Sequence, residues 1–272
     1  PNPTSPHVWD ITVITIYLAI NILDLYWLTK GDEHKVNVLS RIALPVAILV
    51  HSVTAWIFGL QIAKAWYSAI MAPIFVASAC DSGLALLLVC LVALNASGLF
   101  SFDRTLMKSL AGLLAVFIAV DGFFIGCECL TMAYPGAGES VALAEMVAGR
   151  TAPFFWFEVL GGLLLPFLLL VFSKNREKTG IVVFASVMVV LGVCCKRLWL
   201  LFTSFVYPNV AGANGITLGS QAAQADPFAM WSTVGTYAPT GVELTIALGT
   251  ISLGALAFVV LSRRFLGTDA EE

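Results

Sequence analysis

The segment AIMAPIFVASACDSGLALLLVCLVALNA, Ala69–Ala96, indicates the fold class of this chain. It contains a single charged residue, Asp81. A helix that crosses a bilayer needs about 20 apolar residues, so this stretch is long enough to span a membrane, with room for some tilt. We therefore expect a transmembrane α-helix that carries one carboxylate inside the lipid layer.

The rest of the chain has the same apolar character. Hydrophobic residues make up 59% of the 272 residues, charged residues make up 11%, and the mean hydropathy is +0.92. A soluble domain carries about 25% charged residues, so most of the surface of this chain must face the lipid bilayer. A net charge of −3 offers no basic patch for nucleic acid, and we expect no nucleic-acid partner.

Seven stretches are long enough to span a membrane and predict an all-α, polytopic membrane helix bundle. They are Trp9–Thr29, Ile42–Leu60, Ala69–Ala96, Ser109–Tyr134, Thr151–Ser173, Gly180–Tyr207 and Thr240–Phe265. We treat residues 1–272 as a single transmembrane domain. Because the sequence starts at Pro1, without a natural start, we expect further helices of the full chain to precede it.

The basic residues of the connections and of the C-terminal end predict the orientation. Ten of them lie on the side of the C-terminus and two on the opposite side. The ten are Lys30, Lys35, Arg41, Arg104, Lys108, Lys174, Arg176, Lys178, Arg263 and Arg264, and the two are Lys64 and Arg150. Cytoplasmic loops are enriched in Lys and Arg, which predicts that the N-terminus lies outside and the C-terminus in the cytoplasm. The long outer segment Pro208–Pro239 either covers a site or docks a partner, or is an ordinary translocated loop.

Two ionisable residues inside consecutive spans form the main candidate site. His51 lies roughly 13 Å and Asp81 roughly 18 Å from the predicted outer membrane edge, at about 1.5 Å per helical residue. Consecutive antiparallel helices bring similar depths together, so these side chains are expected to face one another. An ionisable group in a spanning helix indicates function, and imidazole changes its protonation near neutral pH. We favour a catalytic, proton-exchanging role for both residues over a structural pair.

The other charges within the spans also gather toward the predicted outer side, apart from Asp24. They are Asp121, Glu128, Glu158, Lys196, Arg197 and Glu243. One interpretation makes Lys196 and Arg197 binding or tuning groups and the carboxylates Asp24, Asp121, Glu128 and Glu158 a proton route. In the alternative, the two cations pair with Asp121, Glu128 or Glu158 and hold helices together. Glu243 caps its helix or acts in the site.

Several cofactor classes do not fit these residues. A bis-histidine haem needs two ligands, whereas only His51 lies within a span. The six cysteines lack the Cys-x-x-Cys spacing of a zinc or iron–sulfur site, and the last span has no lysine for a retinal Schiff base. We expect no haem, metal or iron–sulfur cluster in this chain.

The cluster suits a lipid-soluble, proton-coupled redox molecule. Quinone chemistry requires groups that hydrogen-bond the carbonyl oxygens and exchange protons, next to an apolar slot for the tail. His51 and Asp81 provide the first requirement, and the apolar helices provide the second. The rival hypothesis is a transporter or seven-helix receptor without a redox role. Inverted repeats would favour that hypothesis, and the sequence shows no convincing internal repeat.

Five stretches, taken in order, resemble the NrfD/PsrC family, the membrane subunits of polysulfide-reductase-type complexes. They are Val50–Gln61 around His51, Ser78–Gly83 around Asp81, Phe155–Pro166 with Glu158, Gly192–Arg197, and Tyr237–Leu244, which has the pattern Tyr-x-Pro-(Ser/Thr)-x-x-Glu. The chain looks most like the longer members, which serve the alternative complex III, the Dsr complex and some hydrogenases. Asp121 and the Cys127-Glu128-Cys129 cluster match no motif of the family.

The resemblance implies a subunit of a quinone-linked oxidoreductase complex rather than an enzyme by itself. In the longer members a His and an Asp that match His51 and Asp81 lie at the quinol pocket. The implied ligand is a quinone or quinol, of menaquinone or ubiquinone type. The implied partners are an extracytoplasmic, ferredoxin-like iron–sulfur subunit and other membrane and extrinsic subunits. The implied location is the prokaryotic cytoplasmic membrane.

Overall fold

The computed structural model describes residues 3–60, 67–134, 138–206 and 240–266, and within these ranges every regular element is a helix. The long helices are α1 (Pro6–Thr29), α2 (Glu33–Gly59), α3 (Met71–Ala96), α4 (Arg104–Ala133), α9 (Thr179–Val206) and α10 (Gly241–Leu266). The shorter helices are α5 (Gly138–Ala148), α6 (Ala152–Trp156), a π-helix (Phe157–Leu164), α7 (Leu165–Val171) and α8 (Ser173–Arg176).

Among the described residues, seven helices are long and apolar enough to cross a membrane, which confirms the predicted number of spans. The fifth span, Ala152–Val171, is continuous through α6, the π-helix and α7. The main difference lies in α2, which begins at Glu33 rather than at Ile42. The polar residues 33–41 also belong to this helix, and its first turn is capped. Hydropathy alone did not predict them as part of the span.

The turn between α1 and α2 shows how that cap forms. Gly31 has a φ of +72°, a left-handed conformation that glycine adopts without steric cost. The side chain of Asp32 then accepts a hydrogen bond of 3.2 Å from the backbone N–H of Lys35. Hydrogen bonds from the side chain and backbone of Lys35 lower the pKa of Asp32 below its ordinary value. A carboxylate at this position satisfies one of the free N–H groups of the first helical turn.

The chain divides into two compact units. The described part of the first unit comes from Pro1–Cys80 and Val120–Arg150, and that of the second from Asp81–Ala119, Thr151–Val206 and Val234–Glu272. In the first unit α1 packs along α2, and in the second the fifth span packs along α9. The expectation of a single transmembrane domain stays a prediction, as does the orientation of the termini.

The outer surfaces of the helices are apolar. In α10 the side chains of Val242, Leu244, Ile246 and Leu248 are all exposed, and α1 shows the same pattern. On a soluble monomer the largest contiguous apolar patch usually covers about 300–600 Å². Lipid is therefore the solvent of these helices, and the burial that occurs in this chain concentrates around a few polar side chains.

Candidate functional site

Four contacts join the fifth span to α9 along one face of each helix. They pair Thr151 with Thr203 at 3.0 Å between hydroxyl oxygens, Phe155 with Trp199 at 5.7 Å between ring centroids, Glu158 with Lys196, and Gly162 with Gly192. Successive contacts are four, three and four residues apart on both helices. Residues at these intervals share a helix face, so the two helices run antiparallel in a single register.

The buried ion pair is the polar centre of this face. Lys196 Nζ lies 3.3 Å from Glu158 Oε1, and the two side chains are only 2% and 1% exposed. The other carboxylate oxygen of Glu158 accepts a hydrogen bond from the indole N–H of Trp199. Of the three acids that the sequence offered as partners for Lys196, the structure pairs it with Glu158. Lys196 thus pairs with an acid across two helices, as the second interpretation of its role predicted. The carboxylate of Glu158 balances its positive charge.

A π-helix surrounds Glu158. It covers Phe157–Leu164 and ends where the backbone N–H of Leu165 bonds to the carbonyl of Leu160, five residues back. Pro166 follows directly and has no N–H for an α-helical bond to Gly162. π-Helical turns widen a helix locally and occur frequently at functional sites. This one brings a buried carboxylate and a glycine onto the face that meets α9.

The two helices approach most closely at their glycines. A Cβ atom built on Gly162 would lie 2.6 Å from the Cα atom of Gly192, and the reciprocal distance is 2.5 Å. No side chain fits between backbones at this separation, and small residues are the usual means of close helix contact in membranes. The glycine pair therefore sets the helix separation at which Glu158 reaches Lys196, one turn away.

The first unit contains two further buried carboxylates, both on α4. Asp121 is fully buried and Glu128 is 9% exposed. They are seven residues apart and therefore lie on one helix face. Ser68 donates a hydrogen bond of 2.8 Å from its hydroxyl to Glu128 Oε2. The predicted burial of both carboxylates is confirmed, whereas their role in a proton route stays a prediction.

The remaining predicted site residues differ in their exposure. Asp81 is fully buried within the apolar helix α3, whereas the side chain of His51 on α2 is exposed. Arg197 and Asp24 are half-buried. His51 belongs to the first unit and Asp81 to the second, and the predicted approach of the two side chains stays a prediction.

Sequence reasoning missed one acid close to His51. Asp10, in the second turn of α1, accepts a hydrogen bond of 2.6 Å from the hydroxyl of Thr54 on α2. Thr54 is one helical turn from His51. Asp10 lies at the edge of the first span, where an acid is usually assigned to the membrane interface. In the observed helices Asp10 lies four residues from the start of α1 and Thr54 five residues from the end of α2, a match that the predicted span bounds did not show.

Glu243 caps α10. Its carboxylate accepts hydrogen bonds from the backbone N–H of Thr240 at 2.6 Å and from the hydroxyl of Thr240 at 3.0 Å. The backbone N–H of Glu243 in turn donates to that hydroxyl at 3.3 Å. This reciprocal arrangement is a capping box, and it explains the Thr-x-x-Glu part of the Tyr237–Leu244 motif. Residues 237–239 of that motif and the segment Pro208–Pro239 lie outside the described residues.

Metal ligands do not cluster in the part of the chain that the structure describes. No group of three or more His, Cys, Asp or Glu side chains converges there. The predicted site residues instead include single buried carboxylates, the exposed imidazole of His51 and the buried, paired Lys196, on several apolar helices. Such groups can accept, donate and store protons next to an apolar molecule.

These features define an integral, multi-pass membrane protein with ionisable side chains buried in its spans. The sequence profile of the family described as "Polysulphide reductase, NrfD" matches residues 1–209. The chain belongs to the NrfD family, and the resemblance drawn from the sequence is confirmed. Members of this family are integral membrane subunits.

Three relatives give the family its context. A "Putative dimethyl sulfoxide reductase membrane subunit" of Halobacterium salinarum is 33% identical over 98% of this chain and 66% of its own length. A selenate reductase subunit of Mesobacillus selenatarsenatis is 29% identical over 85% of this chain and 52% of its own length. The "Hdr-like menaquinol oxidoreductase integral membrane subunit" of Archaeoglobus fulgidus is 27% identical over 95% of this chain and 65% of its own length.

The names of these relatives agree on one point: each is a subunit of a reductase or oxidoreductase, and two names specify the membrane. The chain spans between half and two thirds of the length of these relatives. The description that these relatives share is a subunit of a reductase or oxidoreductase.

Proposed function

We propose that this chain binds quinone or quinol within the membrane and passes electrons between the quinone pool and an iron–sulfur subunit on the outer surface. Membership of the NrfD family supports the redox setting, and one relative carries menaquinol oxidoreductase in its name. Electron transfer to a partner requires that the chain bind the quinone and exchange protons with it. The protein groups needed for both tasks are side chains rather than a resident cofactor.

Asp81 is the observation that carries this proposal. Its side chain is fully buried in α3, a helix of 26 residues in which Asp81 is the only charged residue. A charged group at the centre of a spanning helix costs several kcal/mol, about 2.5–3.5 kcal/mol on insertion scales. Such a residue marks a ligand or proton site by default. A carboxyl group here can hydrogen-bond a quinone oxygen and take up or release its proton.

His51 supplies the second proton-exchanging group of the proposed pocket. Its exposed side chain is accessible to a ligand that enters from the lipid. An imidazole that carries a proton donates to a quinone carbonyl, and a neutral imidazole accepts a proton from a quinol hydroxyl. His51 and Asp81 together would serve the two oxygens of a quinone or the two protons of a quinol.

Lys196 and Arg197 complete the proposed binding site as positive groups that favour the charged form of nearby acids. Lys196 Nζ already lies 3.3 Å from one such acid, Glu158. Asp121, Glu128, Glu158 and Asp24 are the proposed proton route. Three of these acids are buried, and one carboxylate oxygen of Asp24 is buried without a hydrogen-bond partner among the described residues. With the N-terminus outside, the route opens mainly to the outer face.

The test is quinone-linked turnover of the purified parent complex, measured in wild type, His51→Ala and Asp81→Asn. The matched control for His51 is His34→Ala, because His34 lies on the same helix but in its exposed first turn. We expect His51→Ala and Asp81→Asn to assemble and to lose turnover by at least about 100-fold, the usual contribution of a proton-transfer group. Wild-type turnover in both assembled variants would contradict the pocket assignment.

A further inference from the structure

The hydrogen bond between Asp10 and Thr54 is a second protonatable feature near His51. Thr54 Oγ1 lies 2.6 Å from Asp10 Oδ1 and 3.0 Å from the carbonyl oxygen of Val50. Both side chains are half-buried where α1 packs along α2. No motif of the sequence analysis includes Asp10, and the proposed proton route does not use it.

The direction of the hydrogen bonds at this contact depends on whether Asp10 is ionised or protonated. The Thr54 hydroxyl has one proton and two oxygen neighbours. When Asp10 is ionised, that proton goes to the carboxylate, since hydrogen bonds to a charged acceptor are the stronger ones. When Asp10 is protonated, it donates to Thr54, and Thr54 donates to Val50. Both protonation states of Asp10 are therefore hydrogen-bonded, as a group that gains and loses protons within a membrane requires.

Asp10 and Thr54 lie between His51 and the end of the two helices at which α1 begins. Thr54 is three residues from His51 on α2, a rise of about 4.5 Å on the same side of the helix. Asp10 is four residues from the start of α1 at Pro6, about 6 Å from that end. The hydroxyl and the carboxyl group thus continue the line from the His51 turn toward water.

Few other titratable groups share this region of the two helices. On α1 they are His7, one turn before Asp10 and exposed, and Tyr17, seven residues after it; on α2 the group is His51. The remaining titratable residues of α1 and α2 lie toward the other end of the pair, namely Asp24, Tyr26, Glu33, His34, Lys35 and Arg41.

We propose that Asp10 exchanges protons between the His51 turn and the water at the N-terminal end of α1, with Thr54 as the relay. This inference rests on the proposed function, because it assumes that His51 takes part in quinone chemistry. A protonated His51 gives one proton to the Thr54 oxygen as the Thr54 hydroxyl proton moves to Asp10 Oδ1, so His51 becomes neutral and Asp10 becomes a carboxylic acid. The carboxylic acid then releases its proton to water, which restores the carboxylate, and the Thr54 hydroxyl turns back toward it. No electron moves in this step.

Two substitutions separate proton exchange from a purely structural contact between α1 and α2. Asp10→Asn keeps an oxygen that accepts from Thr54 but removes the ability to ionise, whereas Asp10→Glu keeps a carboxyl group. Thr54→Val removes the relay at nearly constant volume, and Thr54→Ser keeps a hydroxyl. Thr12→Val is the matched control, because the hydroxyl of the exposed Thr12 donates to the carbonyl of Val8 within its own helix.

The experiment measures kcat and KM for quinol oxidation by the assembled complex between pH 5 and 9, with His51→Ala in parallel. Asp10→Asn and Thr54→Val should lower kcat by at least about tenfold, leave KM within about twofold and flatten the pH profile. Asp10→Glu, Thr54→Ser and Thr12→Val should retain wild-type kcat within about threefold. If Asp10→Asn fails to assemble, Thr54→Val and Thr54→Ser decide the question.

Two results would overturn the inference, and only one of them would also contradict the proposed function. If His51→Ala is inactive while Asp10→Asn and Thr54→Val match wild type in kcat and pH profile, the contact between Asp10 and Thr54 only joins the helices, and the proposed function stands. If His51→Ala is as active as wild type, the proposed function and this inference fall together.

Discussion

Glu158 and Lys196 lie 3.3 Å apart, and both are almost completely buried between the fifth span and α9. The pair forms one turn away from the point where Gly162 and Gly192 bring the two backbones into contact. Charge pairing and close helix approach are therefore coupled in this unit. Neither feature would be stable at another helix register.

Removing one partner of this pair should be more harmful than removing both. Glu158→Gln or Lys196→Met alone leaves an uncompensated buried charge and should lower the free energy of unfolding by about 3–5 kcal/mol, whereas the double variant should recover most of it. Thermal unfolding of the purified complex in detergent gives the double-mutant cycle. Additive losses in the double variant would show that the two charges do not stabilise one another.

Gly162→Ala should disturb the same interface through sterics alone. The added Cβ would lie 2.6 Å from Gly192 Cα, so the helices must separate, at a cost of about 1–3 kcal/mol of unfolding free energy. Gly180→Ala on α9 is the control, because its Cβ would meet nothing within 4 Å, and it should be neutral or slightly stabilising. Equal melting temperatures for the two variants would contradict the close approach.

The contact between Lys108 and Glu177 should make the free energy of unfolding depend on pH in the acidic range. Lys108 Nζ donates a hydrogen bond of 2.6 Å to Glu177, and this bond lowers the pKa of the Glu177 carboxyl below its ordinary value. A carboxyl group with a lowered pKa in the folded state stabilises the fold above its ordinary pKa and loses that effect as pH falls through the lowered value.

The melting temperature of wild type should therefore fall more steeply between pH 5 and pH 3 than that of Glu177→Gln. Both groups are exposed, so about 1 M salt should remove most of the difference by screening. Parallel acid profiles for wild type and Glu177→Gln at low salt would show that the ion pair contributes nothing measurable.

Thr240→Ala should affect α10 and leave the chemistry intact. It removes the hydroxyl of the capping box with Glu243, which should cost about 1 kcal/mol of stability. Glu243→Gln keeps an acceptor for the Thr240 N–H and should be milder, with quinone-linked turnover unchanged. Loss of turnover in an assembled, stable Glu243→Gln complex would assign Glu243 to the site instead of the cap.

The membrane spans could be predicted because lipid imposes its demand through composition alone. A run of apolar residues such as Ala69–Ala96 can satisfy its backbone in lipid only as a helix. The π-helix could not be predicted, since it depends on how Pro166 and the glycines of Phe157–Leu164 fit against α9. Local sequence does not encode that fit.

The site was predictable in its residue types and less so in its pairs. Single charges such as Asp81 and Glu158 are conspicuous in apolar helices. The partner of Lys196 was left open among three acids, because pairing depends on the register that Gly162 and Gly192 set. Asp10 was missed for a similar reason, since its link to Thr54 becomes visible only once α1 and α2 are aligned.

Quinone binding at Asp81 can be measured directly. A fluorescent quinol analogue would be titrated into the assembled complex, with wild type, Asp81→Asn and Asp103→Asn compared. Asp103 is the control because it is an exposed aspartate just before α4. Wild type and Asp103→Asn should show saturable binding, and the affinity of Asp81→Asn should be weaker by at least about tenfold, or about 1.4 kcal/mol. Equal affinity in all three proteins, or no saturable binding to wild type, would contradict quinone binding at Asp81.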